Sequence, residues 1–227
     1  MIISVHIPKT GGSTFRKLLK RAFGPRLLLD YGDWAGFKTQ EAMARRAMRR
    51  DEKRRQHDAL ARDFDIIHGH FEADKYADLF PQTQYVAFFR EPYQQALSNY
   101  QYLQRHPELD HPAIRLFHDN KMSLEDYLRC EALSNPQTQL LGKVPLDDFA
   151  MIGMTEQYSR SIALFNSAFG TRLVREDTAN VNPDRTGISY DVSPAQRKLI
   201  ETYRAPDLDL YARATEKFAR QTATHGV

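Results

Sequence analysis

The sequence predicts an α/β fold of three layers, a mainly parallel central sheet with helices on both faces. Three observations carry that expectation. Short apolar runs of strand length recur along the chain, helical patterns separate them, and the first run passes directly into a glycine loop and then a helix. With 227 residues and 41% hydrophobic content, the chain can bury one sizeable core, and a single domain over 1–227 is expected.

The elements follow in order. Ile2 to Ile7 reads as a buried strand that runs into Pro8-Lys9-Thr10-Gly11-Gly12, and Ser13 to Phe23 then has helical spacing with Phe15, Leu18, Leu19 and Ala22 apolar. Lys38 to Arg62 is rich in helix formers and carries Arg45, Arg46, Arg49, Arg50, Lys53, Arg54 and Arg55. Such a run reads either as a solvated helix face or as a surface for an anionic acceptor. A second strand over Asp65 to His68 ends at Gly69. A third, Gln84 to Phe89, ends at Arg90, with Pro92 placed to open a helix. From Pro107 the pattern is mainly helical, interrupted near Asn135-Pro136 and Gly142. Phe149 to Met154 is a further strand candidate, and Thr155 caps a helix through Phe169. Asp177 to Ser193 is turn-rich and reads as a surface loop. A last helix begins near Pro194 with a break at Pro206.

Composition narrows the partners. The 32 basic and 29 acidic residues give a formal net charge of +3, which makes no case for nucleic acid but suits a small anionic ligand. The single cysteine, Cys130, excludes an intramolecular disulfide and a zinc site built on several thiolates. The apolar run at the start is too short for a membrane span and lacks the features of a signal peptide, so a cytoplasmic protein without a membrane span is expected.

Two constellations carry chemistry. In Pro8-Lys9-Thr10-Gly11-Gly12-Ser13-Thr14 the glycines let the backbone approach an anion, the following helix aims its free N–H groups there, and Lys9 adds a full charge. Ser13 and Thr14 add hydroxyls. The lysine precedes the glycines, so this is not the nucleoside-triphosphate loop G-x-x-x-x-G-K-[ST]. The plain alternative is a lysine in an ordinary strand-to-helix turn. In the second constellation Arg90 leaves a strand end and Ser98 sits two turns into the next helix. Ligands of parallel α/β sheets bind at the carboxyl ends of strands, so Arg90 and Lys9 are expected at one crevice, with Arg90 suited to a bidentate grip on phosphate. Alone, Arg90 also reads as a structural ion-pair partner, and Ser98 as a helix residue bonding its own backbone.

Together, His6-Ile7-Pro8-Lys9-Thr10-Gly11-Gly12-Ser13-Thr14-Phe15 resembles the 5′-phosphosulfate loop of sulfotransferases that use 3′-phosphoadenosine 5′-phosphosulfate (PAPS). Arg90, Pro92 and Ser98 resemble their 3′-phosphate-binding stretch. The carbohydrate branch containing the heparan and uronyl 2-O-sulfotransferases is the narrower likeness. Ile67-His68-Gly69-His70-Phe71, Asn135 to Gly142 and Gly153-Met154-Thr155-Glu156 continue it in order down the chain. Gln95 departs from it, since the family often has a second basic residue there.

The resemblance implies a nucleotide-kinase-like fold, PAPS as donor, no metal and a hydroxyl acceptor, expected to be a saccharide. Lys9, Thr10, Gly11, Gly12, Ser13, Thr14, Arg90 and Ser98 would bind the nucleotide. It also implies a catalytic base in the His-Gly-His stretch, His70 first and His68 second, with Glu72 a third candidate. The two histidines are expected to point to opposite faces of their strand, so that one meets the substrate. A core role or a metal pair are the alternatives for them. Tyr31, Trp34, Phe37 and Tyr76 are candidates to stack on sugar rings, and the Asp177 to Ser193 loop, with Arg185 and Thr186, to cover the nucleotide. A small-molecule kinase, or a non-catalytic module for sulfated or phosphorylated ligands, are the competing function classes.

Overall fold

A computed structural model describes residues 1–80, 82–174 and 189–227. Five parallel strands, β1 (Ile2–Val5), β2 (Leu27–Asp30), β3 (Ile66–Gly69), β4 (Gln84–Phe89) and β5 (Phe149–Met154), form one sheet in the order β2-β3-β1-β4-β5. All four residues of β1 are buried. Because successive side chains point to opposite faces, both faces of the central strand are covered.

Helix α1 (Gly12–Phe23) leads from β1 to β2, while α2 (Gln40–Arg55) and α3 (His57–Asp63) lead back to β3. Between β4 and β5 lie α4 (Pro92–Arg105), α5 (Pro112–Asp119), α6 (Leu124–Arg129) and α7 (Pro136–Leu141). After β5 come α8 (Tyr158–Phe169), α9 (Pro194–Tyr203) and α10 (Ala205–His225). One apolar cluster surrounds the sheet and includes Phe15, Phe71 and Phe165; a second joins α4, α5 and α6 through Leu97, Phe117 and Tyr127. Among the described residues no helix is long and apolar enough to cross a membrane.

The chain turns one way after β1, towards β2, and the other way after β4, towards β5. The neighbours β1 and β4 therefore bound the point where the strand order reverses, where ligands of such sheets bind beyond the carboxyl ends. Lys9 follows β1 and Arg90 follows β4.

Several local expectations change. The first strand ends at Val5, and the edge strand β2 was not anticipated. Thr155 opens a short 3₁₀ turn before α8 instead of capping that helix. The break in the last helix falls between Tyr203 and Ala205, with Pro206 in the first turn of α10. Residues 177–188 of the expected covering loop, Arg185 and Thr186 among them, lie outside the described residues.

The arginine run of α2 has a structural use. Thr39 caps the helix by accepting from the Ala42 amide at 3.2 Å. Arg49 pairs with Asp30 and, at 2.6 Å, with Asp33; both carboxylates also hold buried Lys75, at 2.5 and 2.8 Å. Arg46 lies 3.7 Å from Glu72 and Arg50 3.4 Å from Asp74. Arg46, Arg49 and Arg50 are thus neither a solvated face nor a surface awaiting an anion, while Arg54 and Arg55 further along the run are exposed, as a solvated face requires. Tyr76 donates to Asp30 at 2.5 Å from inside the core, which removes it from the candidate sugar-stacking residues.

Candidate active site

The loop after β1 is shaped by left-handed backbone at Lys9 (φ 65°) and Gly11 (φ 85°). Its carbonyls are held from inside the protein. Thr10 Oγ1 donates to the Ile7 oxygen at 2.9 Å, Gln95 Nε2 to Pro8 at 3.0 Å, Arg90 Nη1 to Lys9 at 3.2 Å and Tyr158 Oη to Gly11 at 3.3 Å. The Thr155 hydroxyl reaches the Thr10 oxygen at 2.8 Å and the Phe89 oxygen at 2.9 Å. With the carbonyls of residues 7 to 11 turned inward, the loop can offer its N–H side to an anion. No side chain caps the start of α1 at Gly11; the Thr14 N–H donates to the Gly11 carbonyl at 3.1 Å, and the amides ahead of it and the positive end of the helix dipole suit an anion.

Both glycines are required by what lies behind the loop. A Cβ on Gly12 would sit 1.9 Å from the His6 ring, and one on Gly11 2.9 Å from the Tyr158 ring. Ser13 is exposed and Thr14 half-buried on the first turn of α1. Buried Gln95, where the resemblance led to an expectation of positive charge, instead braces the loop through the Pro8 carbonyl.

The cations of the crevice crowd one another. Lys9 Nζ sits 4.3 Å from the centre of the Tyr102 ring. Burial, with Arg90 and Arg105 nearby, pulls its titration down to about 8. Arg90 is buried, its guanidinium 6.0 Å from the Tyr190 ring. Its main chain is fixed by Gln137, whose amide accepts from the Arg90 N–H and donates to the Arg90 carbonyl, both at 2.9 Å. Gln137 is held in turn by α10, because Asp207 accepts from the Gln137 and Thr138 amides at 3.3 and 2.8 Å. Ser98 is buried on α4, on the helix face that carries Gln95 and Tyr102, at three- and four-residue steps.

The histidines overturn the expectation of opposite faces. Residues two apart on a strand share a face. The His68 and His70 rings accordingly both stack on His6, with centroids 5.0 and 4.2 Å away. His68 is 1% exposed, with Nδ1 2.9 Å from Ser4 Oγ and its ring edge-on to Phe15. Burial drives its titration down to about 3. The carbonyl of His6 lies 2.5 Å from His70 Nδ1 and can only accept, so Nδ1 carries the proton and Nε2 keeps its lone pair. Burial is the main reason His70 titrates at about 4, with the His6 bond opposing it and His111 and Arg16 adding to it. At neutral pH the ring is therefore neutral. Glu72 is tied to Arg46, and burial pushes its carboxyl upward.

His70 lines a cavity of about 330 Å³ beside the loop, as do Pro8, Tyr102, Tyr31, Trp34 and Phe37. His68 and Glu72 are not among its walls. The site thus gathers Lys9, the Gly11-Gly12 loop, Arg90 and His70, and leaves His68 in the packing behind it. Gln137, Tyr102, Arg105 and Tyr158 serve the site without having been singled out from the sequence. Of these, Tyr102 was findable, seven residues after Gln95 on one helix face.

No family model matches the chain, and no curated protein matches its sequence. Solved structures do resemble it. A sulfotransferase from Alicyclobacillus acidocaldarius aligns over 100% of this chain and 98% of its own, with a TM-score of 0.50 and 17% identity. Mouse sulfotransferase SULT7A1, solved in complex with PAP, aligns over 78% of this chain and 59% of its own, with a TM-score of 0.44 and 13% identity. The chain has the α/β fold of the bacterial protein, a parallel five-stranded sheet with helices.

Proposed function

We propose that this protein is a sulfotransferase that moves the sulfuryl group of PAPS to a hydroxyl. The observation that carries the reading is His70: a neutral ring with Nδ1 engaged and Nε2 open, on the wall of a cavity beside a loop shaped for an anion. The bacterial sulfotransferase of the same fold supports it.

PAPS would supply a sulfuryl group on a bridging oxygen that can leave with the nucleotide phosphate. The loop N–H groups and Lys9 hold the phosphosulfate, and Arg90, with Ser98 nearby on α4, takes the 3′-phosphate. His70 Nε2 accepts the hydroxyl proton as the acceptor oxygen bonds to sulfur. The bridging sulfur–oxygen bond breaks, and its electron pair leaves on the nucleotide's phosphate oxygen. Lys9 offsets the charge that grows there, an interaction strongest in the transition state. A kinase reading lacks its G-x-x-x-x-G-K-[ST] loop.

The test compares melting temperatures with 3′-phosphoadenosine 5′-phosphate (PAP), ATP and no ligand. PAP at 100 times its Kd should stabilise the fold by about 2.7 kcal/mol, and ATP should do much less. His70→Ala should keep the PAP shift while kcat falls about 10²- to 10⁴-fold. An ATP shift equal to that of PAP, or no shift with either, rejects the reading.

A further inference from the structure

We propose, resting on the sulfuryl-transfer reading above, that the acceptor is a small, uncharged, apolar alcohol or phenol and not a sugar chain. The resemblance pointed to saccharides; the cavity at His70 has a different chemistry. Its described walls contain no Lys, Arg, Asp or Glu. A uronate or sulfated sugar would find no cation on these walls, since Lys9 and Arg45 lie against the rings of Tyr102 and Trp34 and are not themselves wall residues.

Most of the surface is apolar, built from Trp34, Phe37, Leu103, Ile114, Leu133 and Leu140. Three of the polar groups on the walls already have partners within the protein. The Tyr31 hydroxyl is 2.9 Å from His6 Nδ1, Asn99 Nδ2 donates to Tyr127 at 3.1 Å, and Gln139 Nε2 donates to the Glu131 carbonyl at 2.8 Å. A sugar presents hydroxyls around the whole ring, and burying them against these walls leaves them unpaired.

One hydroxyl, by contrast, can be served. His70 keeps Nε2 as an acceptor. His111, on the same cavity, accepts from the Ala113 amide at Nδ1, which leaves its other nitrogen to donate while the ring is neutral. A volume of about 330 Å³ falls at the lower end of the roughly 300–1,000 Å³ usual for small-molecule pockets. One reacting hydroxyl on an apolar body fits both the polarity and the size.

Trp34 is the only tryptophan of the chain, so its emission reports occupancy of the cavity without turnover. Wild-type protein would be titrated with 2-phenylethanol, 1-octanol, a neutral disaccharide and an unsulfated glycosaminoglycan hexasaccharide. PAP release from PAPS would be followed with each compound, alongside the melting shift produced by PAP. Both alcohols should shift Trp34 emission saturably and exceed either sugar at least tenfold in kcat/KM. Leu109→Asp, at a wall residue 40% exposed and so tolerant of replacement, should lower alcohol kcat/KM severalfold with the PAP shift unchanged.

A PAP shift with no Trp34 response to the alcohols, a preference for either sugar, or full alcohol turnover by Leu109→Asp overturns the acceptor assignment and leaves sulfuryl transfer standing. Absence of a PAP shift rejects sulfuryl transfer, and the acceptor assignment with it.

Discussion

Two groups of cations in this molecule are held in different ways. The arginines of α2 form the conspicuous basic run of the sequence, yet Arg49 meets Asp30 and Asp33, Arg46 meets Glu72 and Arg50 meets Asp74. Lys9 and Arg90 stand alone in the sequence and meet main-chain oxygen, aromatic rings and each other. The fold neutralises the first group. At the second, Lys9 is held down to about 8 by burial beside like charges, a local field that an arriving dianion relieves. Cation density along a chain therefore says little about ligand binding. What decides is where the fold sets each cation: Arg49 against buried carboxylates, Lys9 beside the Tyr102 ring at the head of a glycine loop.

The largest expected contrast is in turnover. Lys9→Ala should lower kcat about 10²- to 10³-fold, the scale for removing one preorganised donor to a developing anion. It should not lower the melting temperature, because it takes a charge away from Arg90 and Arg105. Unchanged kcat, or a loss of fold matching the loss of rate, would merge the two groups of cations.

Next come two changes of similar energy read by different measurements. Arg90→Ala should weaken PAP by about 1.5–3 kcal/mol in a calorimetric titration, and hardly affect a nucleotide without the 3′-phosphate. Arg49→Ala should cost about 1.5–3 kcal/mol in urea unfolding, with PAP affinity of the folded protein unaltered. If Arg49→Ala loses PAP while its unfolding midpoint holds, α2 belongs to the ligand surface after all.

The smallest effect is a displacement along the pH axis. On the sulfuryl-transfer reading His70 is the neutral base, so kcat/KM should fall as pH drops through about 4. Lys9 acts as the cation, so it should fall again as pH rises through about 8. In kcat the upper limb should move to higher pH, because the bound phosphosulfate holds the ammonium protonated. Lys9→Arg should erase the upper limb, since a guanidinium does not titrate in that range. Survival of that limb would assign it to another group.

Legibility followed chemistry unevenly. Strands β1, β3, β4 and β5 were readable because burial on both faces makes their runs nearly all apolar. Leu27–Asp30 was missed: a three-leucine stretch at a sheet edge reads as helix as readily as strand, and its one fully buried residue is the charged Asp30. Lys9, Gly11, Gly12 and Arg90 could be singled out as candidates because loop chemistry is local, and the fold sets Lys9 and Arg90 side by side. The order of His70 before His68 came from the resemblance and not from local chemistry, and it is His70 that lines the cavity. Gln137 fell within the Asn135 to Gly142 likeness, but its role was not legible, because its partner is a peptide 47 residues away.

That amide has a consequence for how the protein becomes active during synthesis. Arg90 is set by Gln137, and Gln137 by Asp207 on the last helix. A ribosome that has delivered the glycine loop, the histidines and Arg90 has therefore not yet made the brace that fixes the Arg90 main chain. On the sulfuryl-transfer reading, a chain cut before Asp207 should bind PAP more weakly than the full chain, because Gln137 then lacks the carboxylate that holds it.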